Sequence, residues 1–261
     1  MTMRSNAALA LFLALVSPAA VSDVFRPATS STSSTSSTFH LPGGSDMPRY
    51  LTEFIGTFFL CLTVGLTVTL QSPLAALAIG SSLMVMVYMG GPISGGHYNP
   101  AVSLAAYLGG GLPVAHLLPY MISQLLGALA AGVVTGVITG DIVSPMPSFD
   151  VSRGIPVLVE VLFTFALCLV VLNTAVSKRA AGNSYFGLAI GFTVVVGAAA
   201  GGSVSGGAFN PAVGVGLGLI DGLMGGAPMG HLWIYLAGPF VGGALAALVY
   251  KFQESYQAVA A

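Results

Sequence analysis

Ser94-Gly95-Gly96-His97-Tyr98-Asn99-Pro100-Ala101-Val102 and Ser205-Gly206-Gly207-Ala208-Phe209-Asn210-Pro211-Ala212-Val213 are one motif written twice. At an offset of 111 residues, seven of these nine positions are identical, and Gly80 meets Gly191 at the same offset. An offset of 107 lays Glu53, Thr57, Leu60, Cys61 and Leu62 over Glu160, Thr164, Leu167, Cys168 and Leu169. An offset of 115 pairs Tyr120 with Tyr235 and Gly127 with Gly242. Three matches in chain order make the chain two copies of one unit, repeat one over about 50–138 and repeat two over about 155–250.

The material between the motifs is apolar. Of the 261 residues 55% are hydrophobic and 6% charged, against roughly 25% charged in a soluble domain. This excludes a soluble globular enzyme. A formal net charge of -1 provides no basic field, so nucleic acid is excluded as a partner. The 35 glycines follow no Gly-X-Y period and so do not indicate collagen. They suit membrane helices that associate through close backbone approach. Six apolar spans are predicted at about 50–70, 74–93, 114–138, 155–177, 185–203 and 230–250, each near the roughly 20 residues that cross a bilayer. Residues 100–108 and 211–219 are also apolar, but nine helical residues reach only about 13 Å. They are expected to enter the membrane as half-helices and turn back.

Three spans per unit is an odd number, so the second unit is inverted relative to the first, the plan of many transporters. The fold class expected is therefore an all-α membrane protein with six transmembrane helices and two re-entrant half-helices in an inverted repeat. The two motifs then face each other at mid-membrane. Asn is a favoured helix N-cap and Pro a favoured first helical residue, so Asn99-Pro100-Ala101 and Asn210-Pro211-Ala212 each begin a half-helix. Each N-terminus carries roughly +0.5 charge, which repels a cation. The two Asn amides offer donors to the oxygen of water or an alcohol. Irregular backbone at this depth must be buried in protein or line a watery cavity; a pore accounts for it.

The doubled motif within a six-span chain resembles the aquaporin or major intrinsic protein family across residues 50–251. The resemblance implies one pore per subunit, a homotetramer in the lipid bilayer, and passage of water and small neutral solutes. It also implies that Glu53 and Glu160, carboxylates within the first and fourth spans, accept hydrogen bonds from the re-entrant loops, and that His97 is the family's loop histidine with a structural hydrogen bond. Gly127, Gly187, Gly191, Gly238 and Gly242 read as helix-crossing contacts.

The chain departs from the family where selectivity is set. Water-selective members carry Arg after the second Asn-Pro-Ala; here that position is Val213. The positions completing the family's constriction are Ile79, Ala198 and Gly207, where many members have an aromatic on the second span and His on the fifth. Glycerol facilitators follow the Arg with Asp; here Gly214 stands in that place. An Ile-Ala-Gly-Val ring is expected to be wide and apolar, passing water but discriminating weakly against glycerol, urea, ammonia or hydrogen peroxide.

The channel domain is expected over 49–251, with residues 252–261 as a C-terminal tail. Residues 1–48 read as a leader. Arg4 precedes an apolar run, Ala20-Val21-Ser22 loosely fits a signal-peptidase site, and the Ser/Thr-rich stretch from Ser30 to Thr38 has the hydroxylated, acid-free character of a transit peptide. The secretory pathway or a plastid are the destinations such a leader suggests. Arg49, Lys178, Arg179 and Lys251 flank the spans on one side and Arg153 on the other, which puts the amino terminus inside. Cys61 and Cys168 lack CxxC neighbours and read as small buried hydrophobes. No nucleophile-base pair, phosphate loop or metal-ligand cluster appears, so no enzyme activity, cofactor or metal is expected. Two other classes share the architecture: an ion-coupled secondary transporter of a small solute, which needs ionisable groups along its path, and a nonconducting membrane scaffold.

Overall fold

The computed structural model describes residues 46–260, together with Ala10. The leader expected over residues 1–48 therefore lies almost wholly outside the described residues. Eight helices follow in order: α1 (Met47–Thr69), α2 (Ala75–Ser94), α3 (Pro100–Gly109), α4 (Val114–Thr139), α5 (Gly154–Val171), α6 (Phe186–Ser205), α7 (Ala212–Leu223) and α8 (Ile234–Ala260). Six segments are long and apolar enough to cross a membrane, and Pro100–Gly109 and Ala212–Leu223 are shorter apolar helices. The inverted all-α plan is thus present, and the chain is a multi-pass integral membrane protein.

Boundaries fall within a few residues of those expected, with three differences. α1 begins at Met47, with Pro48 in its first turn, a place where the missing N–H has no helical partner in any case. α5 passes into a π-helical turn over Leu172–Val176, where Asn173 donates to the Leu169 carbonyl and to Gln253. α8 continues as helix to Ala260, through residues set apart above as a tail. Near that end Arg179 of the α5–α6 loop contacts Glu254 at 2.6 Å and Ser177 donates to the same carboxylate at 3.1 Å.

Glycines set how closely the helices approach. A Cβ built on Gly80 would lie 2.5 Å from the Gly191 carbonyl oxygen, and one on Gly191 would lie 2.5 Å from that of Gly80. α2 and α6 therefore cross backbone to backbone about the pseudo-twofold axis relating the two units. The same symmetry governs the flanking pairs. A Cβ on Gly127 would lie 2.5 Å from the Phe54 carbonyl, joining α4 to α1, and one on Gly242 would lie 2.5 Å from that of Val161, joining α8 to α5. Gly187 and Gly238 are also in tight contacts, with the Tyr88 ring and the Glu160 side chain. Such close approach provides dispersion and Cα–H···O contacts where lipid removes the usual hydrophobic drive.

Candidate functional site

Each re-entrant loop is a run of left-handed backbone. Gly95, Gly96 and Tyr98 have φ of 95°, 64° and 50°, and Gly206, Gly207 and Phe209 have 89°, 64° and 47°. Glycine adopts this region freely, whereas an aromatic there is strained by about 1–3 kcal/mol. A buried carboxylate holds each loop in that shape. Glu53 Oε1 accepts from Ser94 Oγ at 2.6 Å and from the His97 N–H at 3.0 Å, and its Oε2 accepts from the Tyr98 N–H at 2.7 Å. Glu160 accepts from Ser205 Oγ, the Ala208 N–H and the Phe209 N–H at 2.7, 3.1 and 2.6 Å. Both carboxylates are fully buried. They serve the loops' orphan N–H groups, which would otherwise be unsatisfied in an apolar interior.

Two tyrosines brace the loops from outside. Tyr120 donates to the Ser94 carbonyl at 2.6 Å and Tyr235 to the Ser205 carbonyl at 2.7 Å. The shared offset of 115 marks the pair in the sequence but carries no sign of the bracing role. The first loop carries an extra polar layer. Gln124 donates to Glu53 Oε2 at 2.8 Å and to Ser103 Oγ at 2.9 Å, and Ser103 lies 3.1 Å from His97 Nδ1. His97 is therefore fixed by structural hydrogen bonds. In the second unit the equivalent positions are Pro239, Gly214 and Ala208, so this layer has no counterpart.

The two asparagines meet between the loops. Asn99 Oδ1 accepts from the Ala101 N–H at 2.9 Å and Asn210 Oδ1 from the Ala212 N–H at 2.9 Å, each capping its own half-helix. Their amides cross over: Asn99 Nδ2 donates to the Phe209 carbonyl and Asn210 Nδ2 to the Tyr98 carbonyl, both at 2.9 Å. One loop thus locks the other, and each amide keeps a second hydrogen for the space between them. The second half-helix starts differently from the first. Ala212–Leu217 is π-helical, and a Cβ on Gly214 or Gly216 would lie 2.4 Å from Tyr235 or Ala128. The widened turn lets a glycine-rich helix press against α8 and α4.

A cavity of about 350 Å³ runs along these groups. Asn99, His97, Asn210 and Phe209 line it together with Ile79, Ala198, Gly207 and Val213, the four positions singled out at the constriction. Val143, Ser144, Pro145 and Met146 of the α4–α5 connection also line it; no sequence signal pointed to them. Glu53 and Glu160 are behind the wall, engaged with the loops. Cys61 and Cys168 are buried. Among the described residues no group of three or more His, Cys, Asp or Glu is placed to hold a metal ion.

Six spans and two half-helices surround a cavity lined by no Asp, Glu, Lys or Arg, the architecture of a membrane channel. The profile of the family described as Major intrinsic protein matches residues 45–250, and the chain belongs to that family. It is 38% identical over 182 residues to Aquaporin TIP1-1 of Arabidopsis thaliana, covering 68% of this chain and 70% of that protein. It is 33% identical over 219 residues to Glycerol uptake facilitator protein-like 6 of Lactiplantibacillus plantarum, covering 80% and 99%. The solved aquaglyceroporin from Plasmodium falciparum superposes with a TM-score of 0.68 at 21% identity, over 78% of this chain and 95% of that one, which shows the shared fold.

Proposed function

We propose that the protein conducts water and small neutral solutes such as glycerol, urea, ammonia and hydrogen peroxide down their gradients. It works as a homotetramer in the bilayer, with one pore per subunit. The observation that carries the reading is the lining of the cavity: two Asn amides beside an apolar wall of Ile79, Ala198, Gly207 and Val213. Pore diameter and lining donors set which solutes pass. With Val213 in place of a guanidinium and Gly207 adding no side chain, the constriction lacks bulk and fixed charge that would narrow it. Relatives named as an aquaporin and as a glycerol uptake facilitator support such a range. A channel is favoured over an ion-coupled transporter because Glu53 and Glu160 spend their oxygens on loop N–H and hydroxyl groups, leaving the path without a free carboxylate from either.

Osmotic swelling of proteoliposomes under water, glycerol and urea gradients tests the reading. Permeability to all three above empty liposomes is expected; strict water selectivity would overturn the wide filter. V213R should narrow the solute range, since the guanidinium fills part of the gap and brings a fixed charge to it. An unchanged range would mean the constriction lies elsewhere.

A further inference from the structure

The connection between α4 and α5 folds into the outer end of the cavity instead of passing over it. Ile142 is buried, and a Cβ built on Gly132 would lie 3.4 Å from its Cδ1. The Val143 N–H donates to Thr69 Oγ1 at 3.0 Å and the Ser148 N–H to the Val204 carbonyl at 2.9 Å. Between these two anchors Ser144, Pro145 and Met146 line the cavity. The Met146 backbone passes so near Gly206 that a Cβ there would lie 2.6 Å from the Met146 nitrogen.

One side chain grips the middle of this strap. Asp221 Oδ2 accepts from the Ser144 N–H at 3.2 Å and from Ser144 Oγ at 2.8 Å. Its Oδ1 accepts from the Ala227 N–H at 3.3 Å, and its carbonyl from the Gly226 N–H at 2.9 Å. Asp221 is 4% exposed and Ser144 2%. The placement runs against local preference. Asp221 is in the last turn of α7, where the helix dipole disfavours negative charge, and burial adds a desolvation cost. A residue that breaks local rules while its oxygens converge on a cavity-lining segment indicates a site role more than a folding one.

We propose that Asp221 is a positioning residue for selectivity: by clasping Ser144 it seats the Ser144–Met146 strap in the outer mouth, and the strap narrows the side of the constriction left open at Val213. This rests on the channel reading above. The solute cut-off is then set jointly by the ring of four and by a strap held from α7.

Wild type, D221A, S144A and the double variant are compared in proteoliposomes under water, glycerol and erythritol gradients, with folding checked by thermal melting in detergent. S144A removes one bond and spares the backbone one, so it serves as the milder variant. D221A is expected to raise the erythritol-to-water permeability ratio severalfold while water permeability stays at or above wild type. S144A should give a smaller rise, and the double variant no more than D221A, because both act through one clasp. A folded, water-permeable D221A with the wild-type ratio overturns the proposal, as does an additive double variant. If wild type itself fails to swell above empty liposomes, the channel reading fails. The seating of the strap is then read by trypsin cleavage after the exposed Arg153 just beyond it. Cleavage severalfold faster in D221A supports the clasp, and an unchanged rate refutes it.

Discussion

Glu53 and Glu160 occupy matching places in the two units, yet they are not equally committed. Glu53 accepts four hydrogen bonds, the fourth from Gln124, whereas Glu160 accepts three. Replacing a carboxylate by an amide turns one acceptor into a donor facing N–H groups, and an unsatisfied buried group costs about 1–3 kcal/mol. E53Q should therefore lower the melting temperature in detergent more than E160Q does; the reverse order would place the greater burden on the second loop. Thr57 and Thr164 make a second unequal pair. Thr57 donates to the Glu53 carbonyl at 2.7 Å, while the buried Thr164 hydroxyl has no hydrogen-bond partner among the described residues. T164V removes that orphan at nearly constant volume and is expected to leave stability unchanged or raise it by about 1 kcal/mol, whereas T57V should lower it. Chemical denaturation of the two variants side by side decides. These asymmetries explain what could be read in advance. Asn99, Asn210, Glu53 and Glu160 stand out because each occurs twice at a fixed offset. Gln124 and Ser103 face Pro239 and Gly214, so self-comparison gives them no signal.

Among the elements, glycine positions determine the architecture more than the apolar residues around them. Apolar runs predict each span to within a few residues because bilayer thickness and a 1.5 Å rise leave little freedom. The runs carry no information about which face meets which helix, since lipid-facing and buried side chains are alike in polarity. Leu77 and Leu83 of α2, for example, are 46% and 4% exposed. Glycines recurring in both units supply that missing information. G191V should be severe: its branched side chain would have to occupy the space of the Gly80 carbonyl, which belongs to backbone and cannot rotate away. Overpacking of this kind costs about 1–3 kcal/mol or more, and the expected result is a lowered melting temperature with loss of swelling activity. G230A, where a Cβ would meet open space, is the matched control and should behave as wild type. The π-helical turns at Leu172–Val176 and Ala212–Leu217 were not legible, because they arise from contacts with other elements and leave no periodicity of their own.

Taken whole, the molecule brings two N-termini together at one point from opposite sides, and the cross-bonds from each Asn amide to the other loop's carbonyl fix their separation. That convergence follows from the repeat alone. The strap of the α4–α5 connection does not, since Ser144 and Asp221 are 77 residues apart in segments without periodicity or a repeated partner. The convergence has a consequence for ions. Two N-termini of roughly +0.5 charge each amount to about one positive charge facing the path. Opposed to a monovalent cation at about 4 Å and an effective dielectric of about 20, such a charge is worth about 4 kcal/mol. That corresponds to roughly a thousandfold reduction in occupancy. It acts in addition to the desolvation a cation suffers against an apolar wall and depends on no guanidinium. Proteoliposomes that swell should therefore hold a proton gradient: with a pH-sensitive dye inside and a potassium diffusion potential applied, proton entry is expected to match that of empty liposomes. V213R, although it adds a charge at the constriction, should leave that baseline where it is. Proton entry rising in proportion to water permeability, and falling again in V213R, would instead mean that the half-helix dipoles are insufficient and that losing the Arg costs the pore its proton barrier.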